Sequence, residues 1–257
     1  MSYAAFFIPL SLRSPQVASN APQLSILTFN LKFQERGLEE AVAIIRSADA
    51  DVVALQELSE AAASILDAEF AAQYPYRAFH PIPGEPIPGQ GIMSRYPLLS
   101  DEYWRIHLGH QRVTIALENT ALTLYNAHPI QPLVRDGFAR RAQEITVILE
   151  RAANDSGPLI LAGDFNMSDQ SEDYQRLTES YTDAYRVAGW GLGFTFPDFT
   201  YAEAVPDVLP PASMPVRPVM RLDYIFYNSA FQALEARVLP SSGGSDHRPV
   251  FARLALR

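Results

Sequence analysis

Short apolar runs alternate with amphipathic stretches along this chain, and most of the apolar runs stop on a polar side chain. "LSILTFN" (24–30) alternates and carries β-formers, which predicts a strand ending at Asn30. In "GLEEAVAIIRSA" (37–48), Leu38, Val42 and Ile45 share one helical face. "DVVALQEL" (51–58) is apolar up to Gln56-Glu57, the pattern of a strand covered on both faces. "SEAAASILDAEF" (59–70) reads as a helix with Ser59 at its N-cap.

Beyond a Pro/Gly loop at 81–90, four short strands follow: "GIMSR" (91–95), "PLLSDEYW" (97–104), "RVTIALEN" (112–119) and "ALTLYNAH" (121–128). Residues 134–151 predict a helix with Val134, Phe138, Ile145 and Ile148 along one stripe. "GPLILAGDFN" (157–166) is another buried strand running into acid. Six prolines between 197 and 220 mark a long irregular loop, and loops of that length in a compact domain are usually functional or disordered. "LDYIFYN" (222–228) and "PVFARLAL" (249–256) close the chain as strands. Strands mixed with helices, some in hairpin-like pairs, predict an α/β (α+β) fold of two packed mixed β-sheets flanked by helices. With no repeat or break in composition, residues 24–257 read as one domain. Residues 1–23 stand apart: "YAAFFIPL" (3–10) is apolar but too short to span a bilayer, and 11–23 is a Ser/Pro/Asn linker. The arm is either the tail of a membrane anchor or a segment packed on the domain surface.

Composition narrows the chemistry. At 48% hydrophobic and 19% charged residues, the 257-residue chain affords a sizeable core. A net charge of −9 argues against wrapping nucleic acid, which needs a basic stripe. The chain has no cysteine, which removes disulfides, thiolate catalysis and cysteine metal sites, and is consistent with an extracytoplasmic setting.

Six strand or loop ends carry groups able to bind metal or move protons: Asn30, Glu57, His128, the Asp164/Asn166 pair, Asp223 and the Asp246-His247 pair. Each has a plain alternative. Asn30 could end a strand, Glu57 could favour a helix start, His128 before Pro129 could sit in a turn, and Asp164 and Asn166 could bond turn amides. Asp223, amid Leu222, Tyr224 and Ile225, needs a partner if buried, and Arg221, Arg248 and His247 are the candidates. Six such coincidences together are improbable, whereas one convergent site accounts for all of them. Carboxylates with an amide oxygen suit Mg²⁺ or Mn²⁺. A histidine backed by a buried aspartate is a means of fixing a general base in one tautomer, and Asp223 with His247 fits that pattern. His128 and Asn166 remain as donors to developing charge on phosphoryl oxygens.

In order and at domain-wide spacing, "TFN", "LQE", "NAH", "GDFN", "RLDYIF" and "SDHRPV" resemble the motifs of the endonuclease/exonuclease/phosphatase superfamily, from about residue 24 onward. The resemblance implies a four-layered sandwich and a metal-dependent phosphoesterase. It implies a metal site of Asn30, Glu57 and Asp246, with Glu57 the principal ligand. It also implies catalytic roles for His128, Asp164, Asn166, Asp223 and His247, with Asp223 orienting His247, which resembles the family's general base, and with the basic function shared between Asp164 and His247 in a division the sequence does not assign. Some relatives carry an acid two places after the strand-end asparagine; here that place is Lys32, which favours one ion over two.

The loops bear on the substrate. Proline-rich stretches with Phe194, Phe196, Phe199 and Tyr201 nearby suggest an apolar rim, suited to small or lipid-like phosphoesters. Thr195 and Phe196 match the family's "TF" element near the substrate mouth, and Arg112 is a candidate phosphate contact. A phosphodiesterase or phosphatase is therefore expected. A nuclease on DNA or RNA and a catalytically silent binding protein on the same scaffold are the alternatives. A monomer is expected, placed outside the cytoplasm by a membrane tether in the style of similar bacterial proteins, or otherwise cytoplasmic.

Overall fold

The computed structural model describes residues 21–34, 37–83, 89–198 and 216–257. The apolar arm at 3–10, most of the linker, and the bulk of both proline-rich loops, with Phe199 and Tyr201, lie outside the described residues. None of the described helices is long and apolar enough to cross a membrane.

One sheet takes its strands from both ends of the chain: β1 (Gln23–Asn30), β2 (Val52–Leu58), β3 (Tyr76–His80), β4 (Gly89–Ser94), β11 (Phe231–Val238) and β12 (Val250–Leu256), in the order β11-β12-β1-β2-β4-β3. The other holds β5 (Leu98–Arg105), β6 (Gly109–Leu117), β7 (Thr120–Ala127), β8 (Leu159–Asp164), β9 (Thr182–Asp183) and β10 (Asp223–Tyr227), ordered β5-β6-β7-β8-β10-β9. Both are mixed, with β1 parallel to β2 and β7 parallel to β8.

Side-chain alternation builds the layers. Ile26 of β1, Ala54 of β2, Leu124 of β7, Ile160 of β8 and Ile225 of β10 face inward and form the core between the sheets. The intervening Leu27, Phe29 and Leu55 face out onto α1 (Glu39–Ala48) and α2 (Glu60–Phe70). On the far side Leu161 and Phe226 pack on α3 (Gly137–Ala153) and α4 (Glu172–Thr178). The result is the expected four-layered sandwich. Ser59 caps α2, its Oγ accepting from Ala62 N at 3.0 Å.

Several elements differ from expectation. The third helix starts at Gly137, not 134, and Phe138 is exposed in its first turn. The edge strands β3, β9 and β11 were not anticipated, nor were α4 and the short α5 (Ala184–Ala188).

Candidate active site

The same alternation that packs the core delivers the polar side chains. Continuing the inward parity by two residues from Ala162 reaches Asp164, from Leu124 reaches Asn126 and His128, and from Ile225 back reaches Asp223. Asp223 and Asp164 are direct partners in the β10–β8 register. Gln56 and Asn126 stitch the two sheets beneath the site, Gln56 Nε2 donating to Asn126 Oδ1 at 2.7 Å. Glu57 would point away by parity. The β2–β4 register shifts between Gln56 and Leu58, and Glu57 sits in that bulge with φ +53°, which re-aims it into the site.

Eight of the anticipated residues come together. His247 Nδ1 donates to Asp223 Oδ2 at 2.9 Å, while its Nε2 lies 3.7 Å from Asp164 Oδ2 and 4.0 Å from Asp246 Oδ1. Asp223 thus pairs with the histidine, not with Arg221 or Arg248. Those two arginines bind Asp183 and Asp198 instead, Arg221 at 2.7 Å and Arg248 through Nε at 2.7 Å and Nη2 at 3.2 Å. His128 Nε2 sits 3.6 Å from Glu57 Oε1 and 3.7 Å from Asp164 Oδ2. Asn30 Nδ2 donates to both Glu57 Oε1 and Asp164 Oδ2 at 3.0 Å. Its Oδ1 already accepts from Lys32 N at 2.8 Å, leaving one lone pair. Asn166, at φ +49°, donates its Nδ2 to Pro129 O at 3.0 Å and its backbone N–H to Asp164 Oδ1 at 2.9 Å.

Burial sets the protonation of this cluster. Loss of water pushes the Asp164 carboxyl up to about 6, with the neighbouring Asp223 charge adding to it. Glu57 is raised for the same reason, against the Asn30 hydrogen bond. Burial lowers His128, favouring its neutral ring. Burial would also lower His247, but the surrounding Asp223, Asp164 and Asp246 charges outweigh it and hold the ring at about 10.

The cluster offers carboxylates and histidines able to hold a metal ion. Glu57, His128 and Asp164 present ligand atoms within 4.8 Å of one another, and so do Asp164, Asp223 and His247. Asp223 Oδ1 is buried without a hydrogen-bond partner. Lys32 Nζ stands 3.5 Å from Asp246 Oδ2.

The cluster opens into a cavity of about 660 Å³, lined at its base by Glu57, His128, Asp164, Asn166, Asp246 and His247. Its walls are apolar, among them Leu108, Ile130, Leu133, Phe138, Phe196 and Met220. Phe196 lines the cavity, its ring 4.8 Å from that of His247. The other two substrate candidates are placed differently. Thr195 is fully buried behind the wall, its Oγ1 accepting from Leu222 N at 3.1 Å. Arg112 is not brought to the cavity: it faces the outer side of its sheet and forks onto Asp155, Nε at 3.0 Å, because Asp155 is the nearest anion there.

Two buried charges went unnoticed in the sequence. Glu144 on α3 has no exposure and accepts from four donors: His107 N at 3.0 Å, Leu108 N at 2.8 Å, His110 Nε2 at 3.3 Å and Ile130 N at 2.6 Å. His110 Nδ1 in turn accepts the His128 N–H at 3.2 Å. One turn earlier, Arg141 donates to Asn166 O at 2.7 Å and to Asp173 Oδ2 at 2.9 Å. The helix therefore holds both the "NAHPI" and the "GDFN" loops. The available signal was positional: Arg141 and Glu144 fall on the buried stripe of Ile145, Ile148 and Ala152.

Comparison with known proteins agrees with this arrangement. A search of curated proteins returned no match. Among solved structures, a functionally unknown conserved protein from Enterococcus faecalis V583 is similar at 22% identity and TM-score 0.72, covering 91% of this chain and 100% of that one. An endonuclease/exonuclease/phosphatase from Bacteroides vulgatus is 20% identical with TM-score 0.71, covering 91% and 99%. Truncated Caenorhabditis elegans TDP2 is 15% identical with TM-score 0.69, covering 91% and 98%. These likenesses speak to the fold. Residues 27–247 match the model of the endonuclease/exonuclease/phosphatase family, so the chain belongs to that family of phosphoester hydrolases, which typically use a divalent metal ion.

Proposed function

We propose that this protein hydrolyses small or lipid-like phosphoesters, diesters foremost, with one Mg²⁺ or Mn²⁺. The observation that carries this reading is the Asp223–His247 pair facing Asp164 at the base of a cavity whose walls are apolar. A polyanionic substrate would call for basic walls, whereas among the described residues the only lysine or arginine lining this cavity is Arg141, already engaged by Asp173.

Glu57, Asp246 and the remaining lone pair of Asn30 Oδ1 would hold the ion, which when bound supplies charge neutralisation at a phosphate oxygen and the leaving group. The chain's own groups do the rest. Asp223 locks His247 with Nδ1–H donating, which leaves Nε2 towards Asp164 and the cavity. A water held between His247 and Asp164 gives its proton to the Asp164 carboxylate as its oxygen bonds to phosphorus, the positive charge on the His247 ring holding that carboxylate ionised beforehand. The ester P–O bond breaks on the opposite side, and the leaving oxygen takes up a proton from solvent or substrate water. His128, kept neutral by burial, offers one N–H to a phosphoryl oxygen. Asn166, held by Pro129 O and Arg141, lines the same wall.

The test is a parallel assay with Mg²⁺ on bis-p-nitrophenyl phosphate, on p-nitrophenyl esters of short- and long-chain alkyl phosphates, on p-nitrophenyl phosphate, and on plasmid DNA. Diester cleavage that rises with alkyl chain length, disappears in EDTA and returns with Mg²⁺ or Mn²⁺ is expected. Plasmid nicking faster than diester cleavage, or full activity in chelator, refutes the reading.

A further inference from the structure

The segment running from the end of β7 through the first turn of α3, "HPIQPLVRDGFARR" (128–141), forms one side of the cavity mouth. Leu133 is 90% exposed and Phe138 68% exposed, although both line the cavity. Met220 is exposed on the same cavity. Large apolar side chains held out into water beside a functional pocket mark a contact surface, not a core. Arg135 and Arg140 are exposed in the same segment, Arg135 with Asp136 at 3.6 Å as a weak partner. Two exposed arginines against Asp136 leave this lip net positive in a chain whose total is −9, the third arginine of the segment, Arg141, being buried on Asp173.

We propose that this lip seats the cavity mouth on an anionic lipid surface, with Leu133 and Phe138 in the headgroup–acyl boundary and Arg135 and Arg140 against the headgroups. Apolar side chains flanked by arginines are the composition of interfacial elements, which combine shallow apolar burial with attraction to anionic lipid. Other occupants fit less well. A two-fold contact between copies through this lip would bring two patches of the same positive charge together. Nucleic acid would need a basic stripe in place of a leucine and a phenylalanine. The proposal goes beyond the substrate assignment and concerns where the enzyme works: docking would present the cavity to amphiphilic esters at the bilayer surface.

The experiment is sedimentation of the full chain with phosphatidylcholine vesicles and with equimolar phosphatidylcholine/phosphatidylglycerol vesicles, at low and physiological salt. Leu133→Ser/Phe138→Ser and Arg135→Gln/Arg140→Gln are compared with the wild type, with circular dichroism to verify folding. Binding is expected on the anionic vesicles and weaker in salt. Each arginine lost should weaken it about fivefold, and the double apolar variant about tenfold or more. No pelleting overturns the proposal, as does equal pelleting of wild type and both variants, which would assign the contact to another segment such as residues 3–10. Lip-dependent dimers in analytical ultracentrifugation, or lip-dependent binding of duplex DNA without vesicle binding, also overturn it. Sedimentation needs no turnover. A chain that docks yet cleaves no diester therefore sinks only the substrate reading, and one that cleaves the alkyl esters without docking sinks only this one.

Discussion

Glu144 is the residue on which the position of His128 depends, and its substitution gives a quantitative test. Its two oxygens accept from three backbone N–H groups and from His110 in a site without exposure. Glu144→Gln keeps the shape but turns at least one acceptor into an NH₂ group facing an N–H donor. Loss of one charge-assisted hydrogen bond costs about 1.5–3 kcal/mol, and the stranded donor adds to it, so about 3 kcal/mol is expected. For a domain of this size that lowers Tm by roughly 6–12 °C, measurable by scanning calorimetry. The pH dependence follows. Burial raises the Glu144 carboxyl, but the His110 hydrogen bond and charge and the Ile130 and Leu108 N–H groups outweigh it and hold the folded value below the ordinary 4.5. A depressed carboxyl contributes stability that is full above 4.5 and fades as pH falls through the folded value. The wild-type advantage over Glu144→Gln should therefore shrink in acid. The variant should also lose kcat more than it raises KM, since His128 and Ile130 move while the Glu57 and Asp246 carboxylates do not. A Tm shift below about 2 °C, or one that stays constant down to about pH 3, would refute the reasoning.

Two further outcomes test the site and its scaffold. His247→Ala should lower kcat on bis-p-nitrophenyl phosphate by about a hundred- to ten-thousandfold while keeping the far-ultraviolet dichroism of the wild type; near wild-type turnover would remove His247 from the mechanism. Gly163→Ala should cost more than about 4 kcal/mol in urea unfolding, because a Cβ there would stand 1.9 Å from Ala127 O, at φ +150°, where β7 and β8 close together behind the catalytic groups.

What the sequence could determine by itself was whatever repeats with a local period. Period-two alternation in β1, β7, β8 and β10 set both the inner core and the parity that carries Asn30, His128, Asp164 and Asp223 to the inter-sheet face. The ordered motifs identified the family, and the buried acid in "RLDYIF" called for a partner, which proved to be His247. Contacts distant in sequence were decided only in three dimensions. Arg112, a candidate phosphate contact that the sequence favoured less than a surface arginine, was settled only when the sandwich set Asp155 beside it. The weakly patterned edge strands β3, β9 and β11 exist because a neighbour offers them a ladder. Glu57 points into the site only because a bulge breaks its strand's parity. Glu144 and Arg141 read as polar positions on an amphipathic helix, since periodicity reports which face is buried and not what lies opposite it. The loops they hold are 14 residues upstream and 25 downstream, and their donors and acceptors converge on α3 only after both sheets have packed. Burial and charge pairing depend on that convergence, so the protonation of the site belongs to the tertiary structure alone.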